Sequence, residues 1–148
     1  SSLPVVAVPD PEPVEAPAPA PVVRSLMDRL LSRGHVVLPG LIFATGSSDL
    51  EQGRYASLAE MAAFLQEDGT RRVVLVGHTD AVGALDDNVA LSQARAASVL
   101  QRLVQDHGVS EDQVTSNGMG YLAPVASNAT PEGRKANRRV EAVWLNTR

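Results

Sequence analysis

His78, Asp80, Arg95, Arg138 and Arg139 are the residues of this chain whose types and placement could do chemistry. A histidine and an aspartate just past the apolar run VVLVG first suggest metal ligation or hydrolysis. Neither has the partners it needs. His35 and His107 fall on unrelated elements, and no HExxH or similar ligand spacing is present. No serine stands in a GxSxG elbow. The chain has no cysteine, so no thiol nucleophile, thiolate metal site or disulfide is available. The glycine-containing stretches GSSDLEQG and GMGYLAP match neither a P-loop nor a dinucleotide fingerprint. The residues therefore point to no enzyme, no metal and no cofactor. His78 reads as a hydrogen-bonded histidine at a turn. A carboxylate and guanidinium groups remain, and such a pair can grip the ammonium and carboxylate of a small zwitterion. By spacing alone each has a plainer explanation: Asp80 as a loop carboxylate, Arg95 as a solvated helix residue, Arg138 and Arg139 as strand-edge charges.

The elements that must position these groups follow from periodicity and punctuation. Residues 71–77 predict a strand whose VVLV run has no polar alternation, so both of its faces are expected to be buried. Asp80 lies just beyond its carboxyl end, where open α/β sheets bind ligands. A helix follows from Asp86 or Asp87, either of which is suited to cap it. Arg95 lies about two turns in, and Gly108 closes the helix. Upstream, residues 24–33 predict a short helix stopped by Gly34. Residues 35–43 predict a first strand that Pro39 makes an edge strand or bends. Residues 52–68 repeat Tyr55, Leu58, Ala62 and Leu65 at helical spacing, with Ser48 and Glu51 spaced as a capping box. Strand, helix and second strand form a βαβ unit, right-handed by the usual rule. Residues 113–117 predict a third strand, and residues 128–134 a loop. Residues 138–145 alternate as a fourth strand able to run antiparallel to a neighbour, with Val140, Ala142 and Trp144 on one side.

Composition narrows the ligand. Net charge is −4, and Asp10, Glu12 and Glu15 supply three of the excess negatives. The part from Arg24 onward is near neutral and lacks the basic footprint of a nucleic-acid binder. Only Phe43, Tyr55, Phe64, Tyr121 and Trp144 are aromatic. These are too few to build both a core and a stacking platform for bases or sugars. No apolar run approaches the roughly 20 residues that span a bilayer, and no signal pattern opens the chain. Seven of the ten prolines lie within the first 21 residues. Residues 1–23 are therefore expected to be an extended Pro/Ala-rich linker tethering a domain over residues 24–148.

From about residue 36 to residue 145 the chain resembles the OmpA-like (OmpA/MotB) C-terminal domain family. The resemblance is carried by VVLVGHTDAVG, then NVALSQAR and AASVLQRL, then GMGYLAPVASN and GRKANRRVE, in the family's order. Asn88, Leu91, Ser92, Arg95 and Ala96 complete its N-x-x-L-S-x-x-R-A core. The resemblance implies an α/β fold (an α+β sandwich) of βαβαβ type, a mixed four-stranded sheet with helices packed on it. It implies non-catalytic binding of peptidoglycan through the diaminopimelate of the stem peptide, anchoring the envelope to the wall. Asp80 and Arg95 would hold that group. Asn88, Arg138 and Arg139 match further binding positions, and Thr79, Leu91 and Ala96 match neighbouring pocket positions. The implied location is the periplasm of a diderm bacterium, attached to the outer membrane or envelope through an anchor upstream. The alternative is a module for envelope protein–protein interaction or homodimerisation.

Overall fold

The computed structural model describes residues 22–147. The elements run α1 (Val22–Arg33), β1 (His35–Val37), α2 (Ala56–Gln66), β2 (Val73–His78) and α3 (Leu85–His107). A 3-10 turn (Glu111–Gln113), β3 (Val114–Gly118), α4 (Pro131–Asn137) and β4 (Arg139–Trp144) complete the chain. The linker expected over residues 1–23 lies almost wholly outside the described residues.

The strands form one mixed sheet in the order β1-β4-β2-β3. β2 and β3 are parallel, and β4 runs antiparallel to both β1 and β2. β2, α3 and β3 make a βαβ unit of adjacent strands. The strands of the unit expected from β1, α2 and β2 are also parallel to each other, with β4 inserted between them. Alternation along β4 says which side chains face the core and carries no information about which strands lie beside it.

Three helices cover one face of the sheet. Leu30 of α1, Leu58, Met61 and Leu65 of α2, and Leu103 of α3 are fully buried against Val73 and Leu75 of β2 and Ala142 of β4. Trp144 lies on the same face, its ring centroid 5.5 Å from that of Phe64. α3 approaches β2 so closely that a Cβ on Gly77 would stand 2.0 Å from the Ser92 carbonyl oxygen. Glycine is required at that point because the two backbones touch. On the other face Val74 and Val76 are only half-buried. The expectation that strand two is buried on both faces is met on one.

Several boundaries moved for local reasons. β1 stops at Val37, because Pro39 has no amide to donate and Gly40 has a φ of +82°. Residues 43–50 fold back instead, with a bridge between Phe43 and Leu50 and the Glu51 amide donating to the Ile42 carbonyl at 2.9 Å. The Ser48–Glu51 capping box therefore does not form, and α2 starts from an extended Tyr55 with no side-chain cap. Neither Asp86 nor Asp87 caps α3. Ala84 holds that position, and both aspartates lie in the first turn, where the helix dipole favours them. Gly108 ends α3 in the left-handed conformation, with the Val109 amide donating to the Leu103 carbonyl.

α4 occupies a stretch expected to be loop. Thr130 caps it by accepting from the Gly133 amide at 3.0 Å, and Pro131 takes the first turn. This helix delivers the chain to Arg138 and the start of β4. Among the described residues, no helix is long and apolar enough to cross a membrane.

Candidate functional site

The site lies at the carboxyl end of β2, where the chain leaves the sheet. The Met119 amide donates to the Gly77 carbonyl, and the Thr79 amide to the Gly120 carbonyl, at 3.0 and 2.8 Å. These bonds pin the strand end to the loop after β3. Thr79 is buried, and its hydroxyl donates to the Asp80 carbonyl at 2.9 Å. Asp80 then turns the chain: its Oδ1 accepts from the Val82 amide at 3.0 Å. Asn88, one turn into α3, donates from Nδ2 to the Val82 and Ala84 carbonyls at 2.9 and 3.0 Å. Asn128 Oδ1 accepts from the Ala81 amide at 3.2 Å. The Asp80 loop is thus tied down from three directions.

The direct partner of the Asp80 carboxylate is Arg138, whose Nη1 lies 2.6 Å from Oδ2. Burial of Asp80 works against its charge. The Val82 amide, the Arg138 bond and the positive charges of Arg138 and Arg134 outweigh that, and hold the carboxyl below its ordinary range. Asp80 is an anion at neutral pH.

Arg95 projects from α3 into the same space and is 9% exposed. Its Nε donates to the Ser47 carbonyl at 2.8 Å, and its guanidinium carbon sits 5.1 Å from the centre of the Phe43 ring. Burial and the nearby Arg138 charge lower its pKa, and Asp80 partly offsets them. It stays cationic, as arginine does in proteins.

Together these groups border a cleft of about 780 Å³, with Leu91 and Val82 on one wall, Leu41 and Phe43 on another, and Arg134 and Lys135 of α4 at the rim. It offers one carboxylate beside the guanidinium groups of Arg95 and Arg138, with Arg134 and Lys135 adding positive charge at the rim, over apolar walls. That suits an ammonium and a carboxylate carried on an aliphatic body.

Of the eight residues singled out in the sequence, Thr79, Asp80, Asn88, Leu91, Arg95 and Arg138 converge on this cleft. Ala96 and Arg139 do not. Ala96 is fully buried in the core behind the wall. The Arg139 side chain is 6% exposed and pairs through Nε with Glu141. Its other nitrogens donate to the Asn137 and Ala123 carbonyls at 3.1 and 2.9 Å. Glu141 also faces His35, 3.2 Å away, and His78, 3.9 Å away. His78 sits beneath the cleft, and burial, together with the Arg139 charge, depresses its pKa against the pull of Glu141.

Sequence reasoning missed Phe43, Arg134, Lys135 and Asn128. Thr130-Pro131-Glu132 carries the signs of a helix start. Taken so, it would have put Arg134 and Lys135 on one short helix beside Arg138. Nothing local marks Phe43, which reaches Arg95 only because residues 43–50 fold back.

The profile of the OmpA family matches residues 42–138, a span that includes Asp80, Arg95 and Arg138. The chain belongs to the OmpA family. Among members of that family, outer membrane porin F of Pseudomonas aeruginosa is 40% identical over 100 residues, which is 68% of this chain and 29% of the porin. The peptidoglycan-binding protein ArfA of Mycobacterium tuberculosis is 40% identical over 103 residues, 70% of this chain and 31% of ArfA. The chain thus spans under a third of either relative. The crystal structure of the peptidoglycan-associated lipoprotein from Burkholderia pseudomallei superposes with a TM-score of 0.65 at 28% identity, covering 71% of this chain and 88% of the lipoprotein. The OmpA-like architecture expected from the motifs is the one observed.

Proposed function

We propose that this domain binds peptidoglycan without covalent chemistry, by gripping the diaminopimelate of the stem peptide. The observation that carries the reading is the convergence of Asp80, Arg95 and Arg138 on one cleft. Peptidoglycan binding in the name of ArfA, and peptidoglycan association in that of the Burkholderia lipoprotein, support it. Diaminopimelate presents a free ammonium and carboxylate on one carbon at the end of an aliphatic chain. Asp80 accepts from the ammonium, while Arg95 pairs with the carboxylate and Arg138 braces Asp80 beside them. Leu91 and Phe43 flank the methylenes. Thr79 and Asn88 hold the Asp80 loop, and Ala96 and Arg139 support the site from behind.

Each charge-assisted hydrogen bond in a sheltered site is worth roughly 1.5–3 kcal/mol net. Two such bonds fit micromolar or weaker affinity, with avidity arising from the repeating polymer. Asp80 is committed to Arg138 and the Val82 amide, so the proposed role is anchoring rather than catalysis. The proposed location is the periplasm, with an anchor elsewhere in the protein joining the domain to the outer membrane or envelope.

Co-sedimentation with purified sacculi tests the reading. Asp80→Asn and Arg95→Ala should lose binding while circular dichroism reports an intact fold. Amidating the free carboxylate of diaminopimelate should weaken binding to the wild type, and equal affinity for both forms would argue against the role of Arg95. Undiminished binding by both variants would discard the site.

A further inference from the structure

Past Arg138 lies a second lobe of about 410 Å³, between the irregular segment after β1 and helix α4. Leu41, Phe43, Arg95, Lys135 and Arg138 line both spaces, so the two adjoin. The second lobe has its own character. Val37, Leu38, Pro39 and Val140 give it an apolar wall, and Ala136 leaves room on the α4 side. Lys135 and Arg138 supply positive charge, against the single carboxylate of Glu132. Among the described residues, Lys135 makes no ion pair and no side-chain hydrogen bond. The Arg139 charge at the base of the lobe is answered by Glu141. The imidazole of His78 also lines it, and His78 Nδ1 is the one buried side-chain polar atom without a partner among the described residues.

An apolar wall under an uncompensated cation suits a short aliphatic group that ends in a carboxylate. A stem peptide held by its diaminopimelate carries two such groups close by: the α-carboxylate of the γ-linked glutamate and the terminal carboxylate of the following alanine. We infer that the second lobe binds a second carboxylate of the same stem peptide, seated between Lys135 and the wall of Val37, Leu38 and Pro39. This rests on the peptidoglycan reading of the main cleft and deepens it. The domain then reads the chemical state of the stem as well as the presence of diaminopimelate. Trimming or amidating the stem tunes how firmly it is held.

Calorimetric titration with three soluble stem peptides tests this: the tripeptide ending in diaminopimelate, the tetrapeptide ending in alanine, and that tetrapeptide with its glutamate α-carboxylate amidated. The unmodified tetrapeptide should bind the wild type roughly two- to fivefold more tightly than one of the other two, as expected for a partly exposed ion pair. Whichever loss is seen identifies the carboxylate. Lys135→Leu and Ala136→Phe should abolish that preference, and Glu132→Gln should enlarge it. Shifts in opposite directions from neighbouring exposed positions are not what a folding defect produces. Equal affinity of the wild type for all three peptides would overturn the inference, as would a preference that survives both Lys135→Leu and Ala136→Phe. Absence of binding by all three overturns the peptidoglycan reading itself, and the inference with it.

Discussion

Arg138 Nη1 lies 2.6 Å from Asp80 Oδ2, while no ion pair within 4 Å joins Arg95 to Asp80 among the described residues. The two charges that the sequence sets on one strand–loop–helix crossover are therefore not each other's partners. Arg138 arrives from the far end of the chain, holds the carboxylate in place and leaves Arg95 facing the cleft.

Arg138 and Arg95 should differ in their cost to binding. The Arg138 side chain is 44% exposed, and its pair with Asp80 is partly screened by water. Removing it should weaken diaminopimelate-peptide binding by roughly threefold to tenfold, the scale of about 1 kcal/mol for exposed pairs. Arg95→Ala should cost more, because a buried guanidinium facing a carboxylate has no water to replace it. Titration of both variants with one peptide decides the order, and a larger loss for Arg138→Ala would reverse the assigned roles.

Arg95→Lys should fail as a conservative change. Lysine keeps the charge, but it lacks the Nε that donates to the Ser47 carbonyl and the plane that lies over Phe43. Affinity should fall more than tenfold. Thermal unfolding should show a stability loss of about 1 kcal/mol from the lost bond to the segment at residues 43–50. Wild-type affinity in Arg95→Lys would mean that this position needs only a cation.

Acid should destabilise the domain through His78. Its pKa is depressed in the fold by burial and by the Arg139 charge, so below about 6.5 the unfolded chain takes up a proton that the folded one resists. Stability from this group is present above that pH and is lost as pH falls toward the folded value. Glu141, Arg139 and, beyond Glu141, His35 are the charged or titratable groups around it. Urea midpoints at pH 7.5 and pH 5 should differ in the wild type and converge in His78→Gln. An unchanged difference in the variant would assign the effect elsewhere. Asp80 titrates below the ordinary carboxylate range, so ligand binding should hold to lower pH than that destabilisation would suggest.

Asn137 should matter to binding without touching the cleft. It is fully buried, its Oδ1 accepts from the Val125 and Ala126 amides, and its Nδ2 donates to the Ala126 carbonyl and to Asn128 Oδ1. The same Asn128 oxygen receives the Ala81 amide beside Asp80. Asn137→Ala strands several buried polar groups and should cost about 2–3 kcal/mol. Urea denaturation measures that cost. Peptide titration under folded conditions should show a further, smaller loss from a loosened Asp80 loop, and unaltered affinity would break the proposed link.

Much of the site was legible in the chain, and the parts that were not share a cause. Asp80 follows from a strand end, a local pattern, whereas Asn88 enters through the resemblance to the OmpA-like family. The burial of Arg95 follows from no local pattern: spacing alone favours a solvated helix residue. Its surroundings come from Phe43 and Ser47, about fifty residues upstream, brought close only when residues 43–50 fold back. Arg138 and Arg139 are adjacent in sequence and opposite in role. Arg138 precedes β4 and turns into the cleft, whereas Arg139 is already in the strand, paired with Glu141 beside His78. The seven residues of α4 carry too few apolar side chains to show a helical period, although Thr130 and Pro131 mark its start.

The resemblance to the OmpA-like family made Asp80 and Arg95 a candidate pair, while period, punctuation and residue chemistry in the sequence alone determined most of the helix–strand alternation, the core face of α2 and the lack of cysteine chemistry. These rest on neighbours a few positions apart, whose geometry the backbone imposes. Only the tertiary structure decided that β4 lies between β1 and β2, that Arg138 rather than Arg95 holds Asp80, and that a second cation-rimmed lobe adjoins the cleft. Each depends on which distant segments meet, a matter of packing and long-range pairing that no local pattern encodes.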